Sequence, residues 1–359
     1  MRVLPIHFLK KILLWMAAAS SMSVAVAAEN ATGEQSVPKT IQDIVQIINA
    51  ADADNKQRNA DLQLINDKAP GNASHEDRYV LAYLQAQAAD RLGRMDLRID
   101  FLKKALAFAK QGTSQEFVVS QELAAAELSV GNAKMGIERF QALTQKVPNN
   151  MSGFLLGQNA SLSRAYARIG DFEQSQKYLR ETEGLLVKLR SSRSYTDYGF
   201  NWNKNYFHTQ GELAYQRGHF LEAEISFKKA IAFLESGMEQ SEKNFFASGN
   251  GLGVPGMGSG TDTGNPAGRK SALEFLYAQT SDTLLKLRKT NEAEYFARES
   301  LKKTLKRTGR SSINTSNALR QLAIVMLSKE RNRDALYLLN ESECQSLTPL
   351  ACRHRIQDC

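Results

Sequence analysis

The chain has 359 residues, 23% of them charged and 42% hydrophobic, an ordinary globular composition with enough length for one elongated domain or two compact ones. Only seven prolines interrupt it, so long helices are permitted. The formal charge of +8 is carried by Lys and Arg that are mixed with acids along the chain, which excludes the concentrated basic face that nucleic-acid binding requires.

Residues 1–28 begin with Arg2, Lys10 and Lys11, continue through an apolar stretch from Ile12, and close on Ala25-Val-Ala27-Ala28. This is the three-part form of a secretory signal, with cleavage expected after Ala27 or Ala28. The apolar stretch falls short of the ~20 residues a span needs, so no stable membrane span is expected after cleavage. No cysteine lies near the site, which argues against a lipid anchor, and a bacterial periplasmic or secreted location follows. Cleavage removes three positive charges and leaves +5. Residues 29–70 are expected to form an N-terminal helical cap, with Ile41, Ile44, Val45 and Ile48 at helical spacing after a polar run from Thr32 to Lys39.

From residue 71 to 246 the apolar residues keep a helical period, and four glycines mark turns between paired helices. Gly93 is flanked by Ala86, Met95, Leu102, Ala105 and Leu106, with Arg98 where a small residue belongs, so its aliphatic stem should snorkel or the pair should splay. Gly131 has Leu123, Ala124, Gly136, Phe140, Leu143 and a closing Pro148, and Gly170 has Leu162, Ser163, Tyr166, Phe172, Ser175 and Leu179. The run SYTDYGFNWNKNYF, from Ser194 to Phe207, reads as a long connection. Its aromatics either pin that connection to the hairpins or, at Tyr195, Tyr198, Phe200 and Trp202, form a ledge on which a peptide side chain docks. Around Gly218, Phe207, Gly211 and Ala214 precede the turn, and Phe220, Ala223, Phe227, Ala230 and Ile231 share one face after it.

Residues 247–268 hold eight of the 23 glycines, including a literal G-x-G-x-x-G at Gly251–Gly256 and a near phosphate loop at Gly268-Arg-Lys-Ser271. A dinucleotide fingerprint must leave a strand and open a helix, and no strand-like run precedes this one. No nucleotide or other cofactor is therefore expected, and the stretch reads as a flexible insert. Residues 269–342 supply two weaker hairpins, at Ala293-x3-Ala297 and Ala335-x3-Leu339. The tail, 343–359, carries all three cysteines, Cys344, Cys352 and Cys359, which in an oxidising compartment give one disulfide and a leftover thiol. With His354 they lack the short C-x2-C grip of structural zinc sites, so no metal is expected.

The recurrent aromatic, small residue, turn and A-x3-F pattern, most complete at Phe207, Gly211 and Ala223-x3-Phe227, resembles the tetratricopeptide repeat family. The resemblance covers about residues 74–342 and implies an all-α fold: a right-handed α-solenoid of about six helical hairpins with an N-terminal helical cap. The segment AEYFARESLKKTLKRTGRSSINTSNALRQLA is also similar to repeats that precede caspase-like CHAT peptidase domains in exported bacterial proteins. With the chain ending at Cys359, that likeness implies at most a regulatory, non-catalytic remnant or truncated part of such a peptidase.

No H-E-x-x-H, G-x-S-x-G or C-x-x-C is present and the five histidines are scattered, so no catalytic residue is assigned and the chain is not expected to be an enzyme. In tetratricopeptide solenoids the first helix of each pair lines the concave groove. The resemblance therefore points to Tyr83, Gln87, Gln121, Arg164, Arg168, His208, Thr209, Glu212, Tyr215, Gln279, Asp282, Arg320 and Gln321 as a polar groove for a protein or peptide partner.

Overall fold

The computed structural model describes residues 40–51, 56–248, 266–310 and 312–344, with the backbone alone at 51, 56–57, 149, 239–248, 266–268 and 344. Fourteen helices and no strand occur among them. The expected signal segment 1–28, residues 249–265 of the expected insert, Cys352 and Cys359 lie outside the described residues, as does the side chain of Cys344.

Six antiparallel hairpins form the body: α3 (His75–Arg91) with α4 (Met95–Phe108), α5 (Ser114–Ser129) with α6 (Ala133–Lys146), α7 (Ser152–Arg168) with α8 (Phe172–Leu189), α9 (Tyr195–Gln216) with α10 (Phe220–Ser248), α11 (Pro266–Lys286) with α12 (Thr290–Thr308), and α13 (Ile313–Ser328) with α14 (Asn332–Cys344). Each second helix also packs on the first helix of the next pair, so neighbouring hairpins share their apolar faces. The expected all-α solenoid is the observed architecture. Its first helix opens on a reciprocal cap: Ser74 Oγ accepts from the Asp77 amide at 3.1 Å, and the Asp77 carboxylate accepts from the Ser74 amide at 3.1 Å.

Small residues let the helices approach closely within hairpins two to five. Gly211 lies against the ring of Phe227, where an added Cβ would sit 2.6 Å from the nearest carbon. In the third and fifth hairpins a hydroxyl of the first helix reaches a carbonyl twelve residues on, Ser163 Oγ to Ser175 O at 2.7 Å and Ser281 Oγ to Ala293 O at 2.8 Å. Turns one to four take a glycine at positive φ, from 72° to 87°. The last two place Arg288 (φ 58°) and Glu330 (φ 59°) in the same conformation, at a cost of about 1–2 kcal/mol each.

Three sequence expectations change. The run 194–207 is not a connection but the first half of α9. The insert is narrower than 247–268, because α10 runs to Ser248 and α11 starts at Pro266. The proposed N-terminal cap divides: α2 (Lys56–Leu64) lies on α3, whereas α1 (Gln42–Ala51) lies on α12. Ile41, Ile44 and Ile48 join the apolar cluster of the last three hairpins, and Asp43 Oδ1 meets Arg298 Nη1 at 2.6 Å. Arg298 is itself only 2% exposed and is held by Glu294 and by the Thr40 carbonyl.

The array turns far enough for its start to meet its end. An added Cβ at Gly93, in the first turn, would sit 3.0 Å from Ile313 Cβ, at the start of α13. The concave surface there lines a partly open cavity.

Candidate functional site

That cavity has a volume of about 950 Å³ and is walled by side chains from the first helices of hairpins one to five, with contributions from second helices such as Arg98 and Arg307. Helix phase explains the choice. On α7, Gly153, Gly157, Ser161, Arg164 and Arg168 recur at spacings of three and four and so share one face. On α9, Asn201, Trp202, Lys204, Asn205 and His208 do the same.

A polar network ties α7, α9 and α11 together behind the wall. Arg168 grips Glu212 through Nε and Nη2, each at 3.0 Å, and Glu212 also accepts from Gln216 and Gln279. Since Glu212 only accepts, Gln279 must turn its amide nitrogen to it and its oxygen to His208 Nε2, at 2.8 Å. His208 therefore carries its proton on Nε2. Burial, then the charges of Arg164, Lys204 and Arg168, hold its pKa well below the ordinary imidazole value, against a smaller upward pull from Gln279. Burial would raise Glu212, but the hydrogen bonds and charge of Arg168 outweigh it and the carboxyl lies below its usual range.

On the opposite side, Tyr83 donates to Glu122 at 2.7 Å and Arg98 reaches Asp90 at 2.7 Å. Burial pushes Glu122 above the ordinary carboxylate range, opposed by Arg98 and Tyr83. Arg91 grips Asp61 of α2, with its shortest contact at 2.6 Å, and Gln85 donates to the Leu64 carbonyl at 3.0 Å, so both tie α2 to α3. Two aromatics face the cavity with substantial exposure: Phe275, 45% exposed between Arg168 and His208, and Tyr198, 39% exposed beside Trp202.

Of the groove residues expected from sequence, Gln87, Gln121, Arg164, Arg168 and His208 line the cavity. Tyr83, Glu212 and Gln279 stand one layer behind it, each bonded to a residue of the wall. Thr209 is fully buried, bonded to the carbonyls of Ala160 and Asn205 and to Arg164. Tyr215 and Asp282 bond to each other between α9 and α11. Arg320 is exposed and pairs with Asn317, and Gln321 sits on the same helix, α13; neither lines the cavity. Of the ledge, Trp202 is 5% exposed and packs on Leu156 and Leu186, Phe200 lies against Gly237, and Tyr195 accepts from Asn203. Only Tyr198 and Trp202 border the cavity, so the exposed ledge reduces to one ring. Lys204 and Asn205 were not singled out from sequence, because the wall of α9 becomes visible only once 195–207 is recognised as helix; Phe275, on α11, was not singled out either.

Among the described residues no group of His, Cys, Asp and Glu could hold a metal ion, and no helix is long and apolar enough to cross a membrane. Three hydroxyls of the wall are turned to nearby backbone: Ser129, Ser161 and Ser192 donate to the carbonyls of Ala126, Gly157 and Leu189.

No family model and no curated protein matches this chain. Among solved structures, a tetratricopeptide repeat protein from Parabacteroides merdae is similar at 12% identity and a TM-score of 0.41, over 86% of this chain and 95% of its own. A Rap protein complexed with competence and sporulation factor is similar at 11% identity and a TM-score of 0.46, over 90% of this chain and 77% of its own. The fold assignment rests on the hairpin packing described above.

Proposed function

We propose that this chain is an exported, non-catalytic scaffold that binds a peptide segment of a protein partner inside the cavity. The observation that carries the reading is the wall itself: first helices from five hairpins converge on one space of about 950 Å³, at the upper end of the ~300–1,000 Å³ usual for ligand sites. Carboxamides of Gln87, Gln121, Asn201 and Asn205 stand on that wall. Carboxamides carry donors and acceptors, the two kinds of group that every residue of a peptide backbone needs to have matched when it leaves water. Phe275 and Tyr198 supply apolar surface for a side chain. The donation of Ser129, Ser161 and Ser192 to backbone carbonyls and the commitment of His208 to Gln279 suit recognition rather than nucleophilic chemistry.

Gly157 provides the test. A Cβ there would meet only Asn205 Nδ2, at 4.0 Å, so a larger side chain enters the cavity without striking the core. Wild type immobilised on beads should retain peptides from a random library, and Gly157→Leu, equally helical by circular dichroism, should retain few or none. Equal retention by both forms would place binding elsewhere, and no retention by wild type would remove the reading. Export predicts that the protein isolated from its native cell begins at Ala28 or Glu29; N-terminal sequencing that finds Met1 would contradict it.

A further inference from the structure

Two contacts hold the start of the array to its end, and they are unequal. The direct one is thin: Gly93 meets Ile313, whose side chain stays 44% exposed. The other runs through α1 and α2. Ile44 and Ile48 of α1 are fully buried among the apolar residues of the last three hairpins, with Ile41 beside them. Arg298 of α12 closes on the same helix, Nη1 donating to Asp43 Oδ1 at 2.6 Å and Nη2 to the Thr40 carbonyl at 2.8 Å. Its guanidinium is almost out of water, so these bonds are poorly screened. At the other end of the strand of contacts, α2 is held on α3 by Arg91, which grips Asp61, and by Gln85, which donates to the Leu64 carbonyl. Four residues separate Ala51 from Lys56, so α1 and α2 keep both seats only while the helix ends they join stay within about 18 Å of each other. Both seats stand beside the cavity: Arg91 lines it, as does Arg307, further along the helix that carries Arg298.

We infer that α1 and α2 form a strap across the seam between the first and fifth hairpins, and that this strap sets the width of the cavity. Parting of the seam would draw Arg91 and Arg307 away from each other, and the contact of Gly93 with a half-exposed Ile313 buries too little to oppose it. The inference concerns the shape of the array; only its consequence for a ligand rests on the peptide reading above.

Severing the strap without removing either helix tests this. A specific protease site placed between Ala51 and Lys56 lets the same folded protein be measured before and after cutting. After the cut, the radius of gyration from small-angle X-ray scattering should rise and the longest dimension of the particle should lengthen, while circular dichroism keeps the helical signal. A helix that does no more than cover α12 would stay docked and leave the scattering as it was, so superimposable curves before and after cutting overturn the inference. If the added site prevents folding, Ile44→Asp gives a second reading in the uncut chain by placing a charge in the buried seat of α1. Proteolytic trimming ahead of α2 in that variant should come with the same expansion, and trimming without expansion contradicts the strap. For the best peptide that wild type retains, cutting should speed dissociation about tenfold or more. Unchanged dissociation from an expanded particle would overturn the link between cavity width and ligand. Absence of any retained peptide removes the peptide reading and leaves the scattering to decide the strap.

Discussion

Residues of one type take opposite roles here according to what a side chain would meet. At Gly211 the Phe227 ring occupies the space, so Gly211→Ala should destabilise the fold by about 1–3 kcal/mol through overpacking. At Gly157, inside α7 and facing the cavity, Ala should stabilise by up to about 1 kcal/mol, since glycine is a poor helix former and nothing is displaced. Denaturant unfolding of the two variants checks both signs. His208 makes a further prediction. Its folded pKa is depressed, so the unfolded chain binds the extra proton first as pH falls below about 6.5, and stability is lost from there down to the folded pKa. His208→Gln, which can keep the bond to Gln279, should flatten that acid limb by up to about 1.4 kcal/mol per pH unit; an unchanged pH profile would mean that His208 does not titrate in this way. At this scale the wall was partly legible. Repeat phase in the first helices led to Gln87, Gln121, Arg164, Arg168 and His208, but it could not separate a residue that faces the cavity from Glu212 or Gln279, which bond to such a residue one layer back.

Hairpins were legible as elements wherever a glycine marked the turn. The last two were fainter because Arg288 and Glu330 hold the left-handed position without the residue that signals it. Glu330→Gly should therefore raise stability by about 0.5–1 kcal/mol in thermal or denaturant unfolding, the relief of strain being offset in part by a freer unfolded chain. The true start of α9 was hidden by the aromatic density of 195–207, which suits a packed connection as well as a helix. Helix α1 was legible as a helix and illegible in its destination. Its isoleucine spacing specifies an apolar face, and nothing local says that the face is completed by α12, some 250 residues on, around Arg298 and Asp43. Ile44 is fully buried there, so Ile44→Asp should release α1. Limited proteolysis should then trim the chain ahead of α2 while the hairpins keep their helicity. Protection of α1 in that variant would contradict its docking on α12.

For the whole array, function depends on curvature that accumulates from hairpin to hairpin. Each step is a small rotation set by which side chains meet between neighbours, and no single repeat announces the sum. The sequence pointed to a concave groove reaching as far as Arg320; in the structure five hairpins surround a partly open cavity, and α13 meets the first turn outside it. That closure explains how Arg307 and Arg98 come to wall the same space and why a fully buried Lys204 can face it. It is tested most directly by joining the two ends covalently. In a chain with Cys344, Cys352 and Cys359 changed to Ser, Gly93→Cys and Ile313→Cys would bring two Cβ atoms 3.0 Å apart, within a small adjustment of the ~3.5–4.5 Å a disulfide needs. Mild oxidation should yield a peptide linked through positions 93 and 313 in the mass spectrum of the digest; two thiols that stay free and react separately would contradict the meeting of the array's ends, on which the curvature around the cavity depends.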